Sequence, residues 1–442
     1  MISKLFSFYL ALIFLIHIVD NKVIFVFEHF RHGARSPSDL FEDDLDLMKE
    51  KWDGVQELTN VGLRQEYLLG HFIRNKYPNL INYNKYNPKE IEVLSTMANR
   101  TIMSARAQIN GIFNNTTSEK IDENKNNLCI PYFLLDEINK FNINNISLYP
   151  DDFPEEVPVH IIDYNEKLLQ LEKNNICPVI KDLREENKKI KEISEFIQKF
   201  NESFGEQLLD IYNINDKNYY MDYENVNDIC IEAIINKVDD RELNFLKNKI
   251  DIESFYNSSL EFFRLKTSLV YANDNEGLLA YIGSSILIRK ILSYMEYKID
   301  NINNNEIQTP NLVILSSHDT AIANMEGIID NLFNIKVLPP TYASNYLFEL
   351  NKEDDNDEYF VNLIFNNETL KSIKFNDFQR IIKNNAWTYE ETGKYCGFMK
   401  EIKELNDNKE KLNWKVIIII FSILNLIMIG IIIFLFIKYY KN

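Results

Sequence analysis

The sequence predicts an α/β core interrupted by a mostly helical insertion. An apolar, β-prone run at residues 23–27 ends in a polar cluster, and short apolar runs at 91–94 and 311–315 also lead from a strand into a helix. Polar residues at the carboxyl ends of strands are typical of open α/β sheets. Charged helical patterns between Asn-rich and acidic loops then replace the strand-like runs across residues 114–273. We therefore assign 21–113 and 274–400 to the core and 114–273 to a helical cap.

Local signals place the other core elements. Thr59 is the predicted N-cap of a helix whose apolar residues recur at helical spacing up to Phe72. A second core helix is predicted over 277–295. Residues 345–350 and 359–365 are predicted to form an antiparallel pair across an acidic turn.

Both ends of the chain carry targeting signals. Residues 1–20 have a lysine followed by a short apolar stretch, which predicts a secretory signal peptide. Residues 416–437 form an uncharged apolar run, which predicts one C-terminal transmembrane helix after a linker at 401–415. A GPI signal is the alternative, but such a signal ends in its hydrophobic tail, whereas this chain continues with a polar tail at 438–442. We expect a single-pass type I membrane protein.

Composition indicates which kinds of partner and which cellular compartment are compatible with the chain. The formal net charge of −18 argues against nucleic acid as the main partner. Four cysteines without metal-ligand spacing fit two disulfides in an oxidising compartment, and they allow three pairings. A metal site is not expected. Six sequons suit a glycosylated lumenal domain, and they lie at Asn114, Asn115, Asn145, Asn201, Asn257 and Asn367.

Three strand ends bring together residues suited to phosphoryl chemistry. The first offers Arg31, His32 and Arg35; the second offers Arg100; the third offers His318 and Asp319. Arginines bind the oxygens of a phosphoryl group by charge-assisted hydrogen bonds, and a histidine can attack its phosphorus. A carboxylic acid can protonate the leaving oxygen. Because that acid must be protonated, we expect activity to favour acidic pH.

Five sequence blocks in order carry a family resemblance. They are R-H-G-A-R-S-P at 31–37, L-T with Gly62 at 58–62, S-T-x-x-x-R-T at 95–101, S-x-H-D-T at 316–320 and P-P-x-Y-A-S at 339–344. With these blocks, the chain resembles the histidine acid phosphatases of the prostatic and lysosomal type. The resemblance implies a phosphoglycerate-mutase-like α/β core with a helical cap, and hydrolysis of small phosphomonoesters without metal or cofactor.

The resemblance also implies residue roles. His32 corresponds to the phosphate-accepting nucleophile and Asp319 to the proton donor. Arg31, Arg35, Arg100 and His318 correspond to the phosphate cradle. Glu28 and His29 occupy positions that are usually apolar in relatives, and we interpret His29 as structural.

Further expectations follow from the same resemblance. It implies a Cys177–Cys396 disulfide, which leaves Cys129–Cys230 as the second pair. A phytase or inositol-polyphosphate phosphatase is the alternative enzyme, and a catalytically inactive surface receptor is the alternative outside catalysis. The lysosomal or vacuolar lumen and the cell surface are the expected locations, and a homodimer is left open.

Overall fold

A computed structural model of the chain describes the greater part of the predicted core and cap. The described residues are 21–38, 52, 54–113, 156–162, 177–212, 214, 219–239, 250–272, 277–304, 309–336, 339–353 and 358–397. The predicted signal peptide, linker, transmembrane helix and tail lie outside them, as do Cys129 and the sequons at Asn114, Asn115 and Asn145.

Seven strands in the described part of the chain form one mixed sheet. They are β1 (Asn21–Arg31), β2 (Ile91–Ser95), β3 (His160–Ile161), β4 (Leu312–Ser317), β5 (Asn345–Glu353), β6 (Tyr359–Phe365) and β7 (Glu368–Lys374). Their order is β3-β2-β4-β1-β5-β6-β7. The four strands from β3 to β1 are parallel, and β5, β6 and β7 extend the sheet in antiparallel pairing.

Eleven α-helices occur in the same described residues. They are α1 (Asn60–Lys76), α2 (Asn99–Ile112), α3 (Pro178–Asn187), α4 (Lys191–Phe200), α5 (Glu206–Ile211), α6 (Tyr223–Val238), α7 (Ile252–Leu265), α8 (Leu278–Asn304), α9 (Asp319–Phe333), α10 (Phe375–Asn385) and α11 (Tyr389–Cys396). Two π-helical turns, Asn201–Gly205 and Lys266–Ala272, follow α4 and α7.

Strand β1 is buried on both faces, as expected for a central strand between helical layers. Phe25 and Phe27 pack with α8, α9 and α10 on one face, whereas Val26 and Phe30 pack with α1 and α2 on the other. The alternation of side chains along a strand explains this division. The sheet is therefore the middle layer of a three-layer core.

The helices α4 to α7 build a separate apolar core. Phe200, Phe204, Phe255 and Phe262 contribute its largest buried side chains. These aromatic side chains lie close together, with ring centroids 5.2–5.9 Å apart in the Phe200–Phe204, Phe200–Phe255 and Phe204–Phe255 pairs. This cluster is the interior of the predicted cap.

One disulfide ties the start of α3 to the end of α11. Cys177 and Cys396 are bonded, which is the pair that the resemblance implies. Cys230 instead is a free thiol, buried in the aromatic cluster of the cap helices. The expected Cys129–Cys230 pair is therefore wrong: the Cys230 side chain packs as a small apolar group in that core.

Element boundaries differ from the predictions where local signals were weak. The predicted antiparallel pair is present as β5 and β6, and Thr59 caps α1 by accepting a hydrogen bond from the Gly62 N–H. Helix α8 continues beyond the predicted end at 295, through a polar tract, to Asn304. Strand β7 was not predicted, because most of its side chains are exposed and it lacks an apolar face.

Helix α8 is long and apolar enough, over Leu278–Ile302, to span a membrane. However, 67% of its most apolar window is buried, and Ile288, Ile291 and Met295 lie in the core against the sheet. We conclude that α8 is a core helix.

The Asn201 amide is fully used within the cap. Its Nδ2 donates to the carbonyls of Ile197 and Met221, and its Oδ1 accepts from the Met221 N–H. A glycan on Asn201 would replace one of these bonds, so this sequon is a poor acceptor in the folded protein.

Two carboxyl groups are buried between β1 and the helices α1 and α2. Glu28 accepts hydrogen bonds from the side-chain amides of Gln108 and Asn345, both at 2.7 Å. Burial raises the pKa of Glu28 to about 7. Neither carboxyl oxygen of Glu66 has a hydrogen-bond partner. Burial and the nearby Glu28 raise the pKa of Glu66 well above its ordinary value.

These raised pKa values predict that the two carboxyl groups contribute most to the stability of the fold at acidic pH. A carboxyl whose pKa is raised by folding contributes its full stability below its unfolded pKa and loses it as pH rises. Glu66→Gln, which stays neutral, should match the wild type near pH 4.5 and exceed it by about 1–3 kcal/mol near pH 8. Urea unfolding across this pH range measures the difference.

The exposed Glu368 on β7 provides the control, because Glu368→Gln should leave the pH dependence of unfolding unchanged. A Glu66→Gln protein with the same pH profile as the wild type would contradict the assignment of Glu66 as a buried neutral acid.

Candidate functional site

The ends of three adjacent parallel strands place the predicted residues at one edge of the sheet. In the pairing of β1 with β4, Arg31 is opposite Ser317; in that of β2 with β4, Ser95 is opposite Ser316. The chain leaves these strands at His32, Thr96 and His318. This register brings together residues almost 300 positions apart in the sequence.

The turn after β1 is fixed by close backbone packing against the start of α1. Arg35 forms an isolated antiparallel bridge with Leu58, and the Ala34 carbonyl accepts hydrogen bonds from the N–H and hydroxyl of Thr59. A β-carbon on Gly62 would clash with the carbonyl oxygen of Ala34, so only glycine fits. This packing explains why L-T with a following glycine accompanies the arginine-histidine motif.

His32 is buried and held in one tautomer. Its Nδ1 lies 2.8 Å from the carbonyl oxygen of Gly33, which can only accept, so Nδ1 carries the hydrogen. The lone pair is then on Nε2. Burial, followed by the charges of the neighbouring arginines, Arg31 foremost, holds the pKa of His32 well below its usual value. His32 is therefore a neutral imidazole with a nucleophilic Nε2 even at acidic pH.

Arg31 connects the strand motif to two other parts of the chain. Its Nη1 donates to the Pro340 carbonyl at 2.9 Å, and its Nη2 donates to the Asp319 carboxylate at 3.0 Å. The guanidinium also lies over the ring of Tyr342 at 4.1 Å and that of the cap residue Phe263 at 5.2 Å. Its position is fixed by both ion pairing and cation–π contact.

Arg100 and His318 form a hydrogen-bonded pair. Because a guanidinium only donates, its Nη2 must donate to Nδ1 of His318 at 3.1 Å. The Nε2–H of His318 then donates to the Thr96 hydroxyl at 3.0 Å. The His318 ring also stands edge-on to that of His32, with centroids 5.6 Å apart. His318 thus orients Arg100 beside the His32 ring.

Three guanidiniums leave donors unsatisfied in this pocket. The Nε atoms of Arg31, Arg35 and Arg100 are all buried and lack a hydrogen-bond partner. Burial and the neighbouring Arg35 charge lower the pKa of Arg100 to about 10, which still leaves it charged. Unpaired buried donors on adjacent cations are typical of an anion site.

Asp319 begins α9 beside these cations. Burial alone would raise the pKa of its carboxyl, but the cations, Arg31 foremost and then Lys266 of the cap, hold it well below its usual value. Asp319 is therefore a carboxylate in the free site. The sequence-based expectation of a protonated acid does not describe this state.

Two site residues adopt the left-handed backbone conformation that favours glycine. Gln56, whose side chain accepts from Arg100 at 3.0 Å, has φ 59°, and Ala343, which follows Tyr342, has φ 57°. Such conformations cost energy and concentrate at functional sites. Sequence reasoning missed Gln56, and no motif marks it. Tyr342 lies within the quoted P-P-x-Y-A-S block, so a signal for it was present.

The other histidines of the described chain stand apart from this pocket. His29 is buried and donates from Nε2 to the Ser317 hydroxyl at 2.7 Å, and burial lowers the pKa of His29 to about 3. This agrees with a structural role. His71 packs edge-on against Tyr67, and His160 is exposed on β3. Within the described ranges, no cluster of three His, Cys, Asp or Glu side chains could hold a metal ion.

Comparisons with known proteins agree with this geometry. A family model described as histidine phosphatase superfamily (branch 2) matches residues 22–366. The chain is 27% identical to prostatic acid phosphatase of Bos taurus, over 79% of this chain and 78% of that protein. It is 25% identical to lysosomal acid phosphatase of Rattus norvegicus, over 78% and 70%.

Solved structures share the fold. The phytase from Citrobacter braakii matches with a TM-score of 0.52 at 14% identity, covering 82% of this chain and 97% of that one. The apo form of Hafnia alvei phytase matches with a TM-score of 0.53 at 12% identity, covering 83% and 97%.

The unpaired donors predict that the pocket binds inorganic phosphate. Arg35→Met removes one guanidinium and should weaken binding about 10- to 100-fold, the range expected for losing charge-assisted hydrogen bonds. Isothermal titration calorimetry at pH 5.5 measures the dissociation constant. Arg64→Met, on the exposed face of α1, is the matched control and should bind as the wild type does. Equal affinity of the Arg35→Met protein would contradict the site.

Proposed function

The chain belongs to branch 2 of the histidine phosphatase superfamily, and from this we propose that His32 and Asp319 make it an acid phosphatase acting through a phosphohistidine. The protein is a phosphoric monoester hydrolase, like its prostatic and lysosomal relatives. The observation that carries the assignment of roles is the neutral His32 ring among three arginines with unsatisfied donors.

The first step transfers the phosphoryl group to the enzyme. Nε2 of His32 attacks phosphorus, the bond to the ester oxygen breaks, and its electron pair remains on that oxygen. Asp319 gives this oxygen a proton, so the alcohol leaves neutral. Arg31, Arg35 and Arg100 bind the oxygens of the transferring group, and His318 completes this cradle by holding Arg100.

The second step returns the enzyme to its starting state. Asp319, now a carboxylate, accepts a proton from water as the water oxygen attacks the phosphohistidine. The phosphorus–nitrogen bond breaks, its electron pair returns to Nε2 of His32, and phosphate leaves with the proton that Asp319 accepted, so Asp319 is again a carboxylate. The contact between Arg31 and Asp319 supports this role, because it orients the carboxylate beside the cradle.

The proton for the first step has to come with the substrate. Asp319 is ionised in the free site. A phosphate monoester has a second pKa near 6, so its monoanion carries one proton below that pH. Once that proton is shared with Asp319, the carboxyl can pass it to the leaving oxygen. The acid preference then arises from the protonation of the substrate.

The relatives also support a secretory or lysosomal location. Within that setting we propose that residues 1–20 are a signal peptide and that 416–437 anchor the protein as a type I membrane protein. The catalytic part, divided into the core and cap assigned above, would face the lumen or the cell exterior. Asn257 and Asn367, which are exposed residues, are the better placed of the described sequons.

Replacing the two central residues should separate their roles. His32→Ala should abolish the phosphoenzyme and reduce turnover to background. Asp319→Asn should lower kcat about 10²- to 10⁴-fold for an alkyl phosphate, but less for a nitrophenyl phosphate, whose leaving group needs little protonation. Rapid-quench labelling with radioactive phosphate measures phosphoenzyme and turnover together. Asp330→Asn, on the same helix, is the control. A labelled His32→Ala protein would contradict this mechanism.

The pH dependence of kcat/KM should follow the second pKa of the substrate. Because the pKa of His32 is lowered, the nucleophile stays neutral and kcat/KM should persist as pH falls below 6. Above the second pKa of the substrate, kcat/KM should fall about tenfold per pH unit. An electron-poor aryl phosphate has a lower second pKa than an alkyl phosphate, so its kcat/KM should begin to fall at a lower pH. If kcat/KM falls at the same pH for both substrates, the decline belongs to a group of the enzyme.

A further inference from the structure

Beside the phosphate site lies a cavity of about 190 Å³ between the core and the cap. Arg31, Arg35 and Asp319 line it, together with Gln65, Thr341 and Tyr342. The cap helices α6 and α7 contribute an apolar wall that consists of Ile231, Ile234, Val238, Tyr256, Leu260 and Phe263. A phosphate held by the arginines would therefore direct its ester group towards an apolar wall.

This wall is distinct from the interior of the cap. In α6, Val226, Ile229 and Ala233 face the cap core, whereas Ile231, Ile234 and Val238 form a second stripe at helical spacing. In α7, Phe255 and Phe262 are buried in the cap core. Its second stripe, Tyr256, Leu260 and Phe263, is only partly covered, and Leu260 is 36% exposed. Partly exposed apolar side chains gathered on one surface mark binding sites.

The side of the cavity next to the core continues the apolar surface. Tyr342 presents its ring to Arg31 and to His32, whose ring centroid is 6.0 Å away. Trp52 and Ile235 form a small cluster with Ile231 and Tyr342, so the aromatic ring of Tyr342 is packed from the cap side as well. The apolar surface therefore begins directly beside the reacting atoms.

The charge of the described lining disfavours highly charged leaving groups. Among the described lining residues, Arg31 and Arg35 of the phosphate site are the only cations. An inositol polyphosphate would bring further phosphates, each needing cations or hydrogen-bond donors, against branched aliphatic and aromatic side chains. Placing these charges in apolar surroundings without partners is strongly unfavourable.

We propose that this cavity is a leaving-group subsite for one apolar ring, so that the preferred substrates are monophosphate esters of ring-bearing apolar alcohols. The size agrees, since an apolar cavity of about 150 Å³ takes up benzene. The proposal rests on the proposed phosphatase function and specifies its substrate class. Ile234 and Leu260 are the specificity-determining residues, one from each cap helix.

The test compares two esters with matched leaving-group chemistry. Benzyl phosphate and glycerol 3-phosphate both release an aliphatic alcohol, so the ratio of their kcat/KM values reports how well the ring is bound. With the full-length protein at pH 5.5, we expect at least a tenfold preference for benzyl phosphate. Inositol hexakisphosphate should be the poorest substrate of the three.

Two variants then test whether the cavity wall causes the preference for benzyl phosphate. Leu260→Asn and Ile234→Asn should each reduce the benzyl-to-glycerol ratio about tenfold. Leu68→Asn, which replaces an exposed leucine on α1 away from the cavity, should leave the ratio unchanged. Leu260 is partly exposed, so its replacement tests the wall without disturbing a core.

The outcomes are distinguishable. Equal kcat/KM for the two alkyl esters, an unchanged ratio in both variants, or faster hydrolysis of inositol hexakisphosphate would overturn the subsite and leave the phosphatase function standing. Failure of the folded wild type to hydrolyse any of the three esters would overturn the proposed function itself.

Discussion

The concentration of positive charge around His32 is the constraint on which the rest of the structure depends. Arg31, Arg35 and Arg100 are largely removed from water, which is costly for each ion, and they repel one another at short range. Asp319, the Pro340 carbonyl and the Gln56 amide offset part of this cost through hydrogen bonds. Two aromatic rings, one from the cap, cover the Arg31 guanidinium. The Nε donors of the three arginines remain unpaired, so we expect the site to bind an anion.

The parts of this arrangement that could be predicted are those encoded locally. Arg31, Arg100 and Asp319 each lie where a strand gives way to a helix or loop, so apolar runs and caps were enough to place them near strand ends. The chain order of these junctions and the parallel pairing of β2, β4 and β1 then bring them to one edge. Thr59 could be identified as an N-cap because capping depends on only a few neighbouring residues.

What could not be predicted depends on contacts across the sequence. Tyr342 stacks on Arg31, and Asn345 holds Glu28, over separations of about 300 residues. The conformation of Gln56 is set by the packing around it, since glutamine has no preference for positive φ. The state of Cys230 could not be predicted for the same reason. Cys230 is a free thiol buried among the cap phenylalanines, and this burial follows from how α6 and α7 pack.

In the proposed mechanism, the arginines that bind the phosphate also control when the chemistry can occur. In the free site, burial and these charges together hold the pKa of His32 low and keep its ring neutral, and the charges hold the pKa of Asp319 low and keep it ionised. A bound phosphate counteracts these charges and so raises the proton affinity of Asp319. The nucleophile is thus ready before binding, whereas the acid becomes competent only with a phosphate in the cradle. A substrate that arrives as the monoanion supplies both the charge and the proton, which makes an acidic compartment the natural setting for this site.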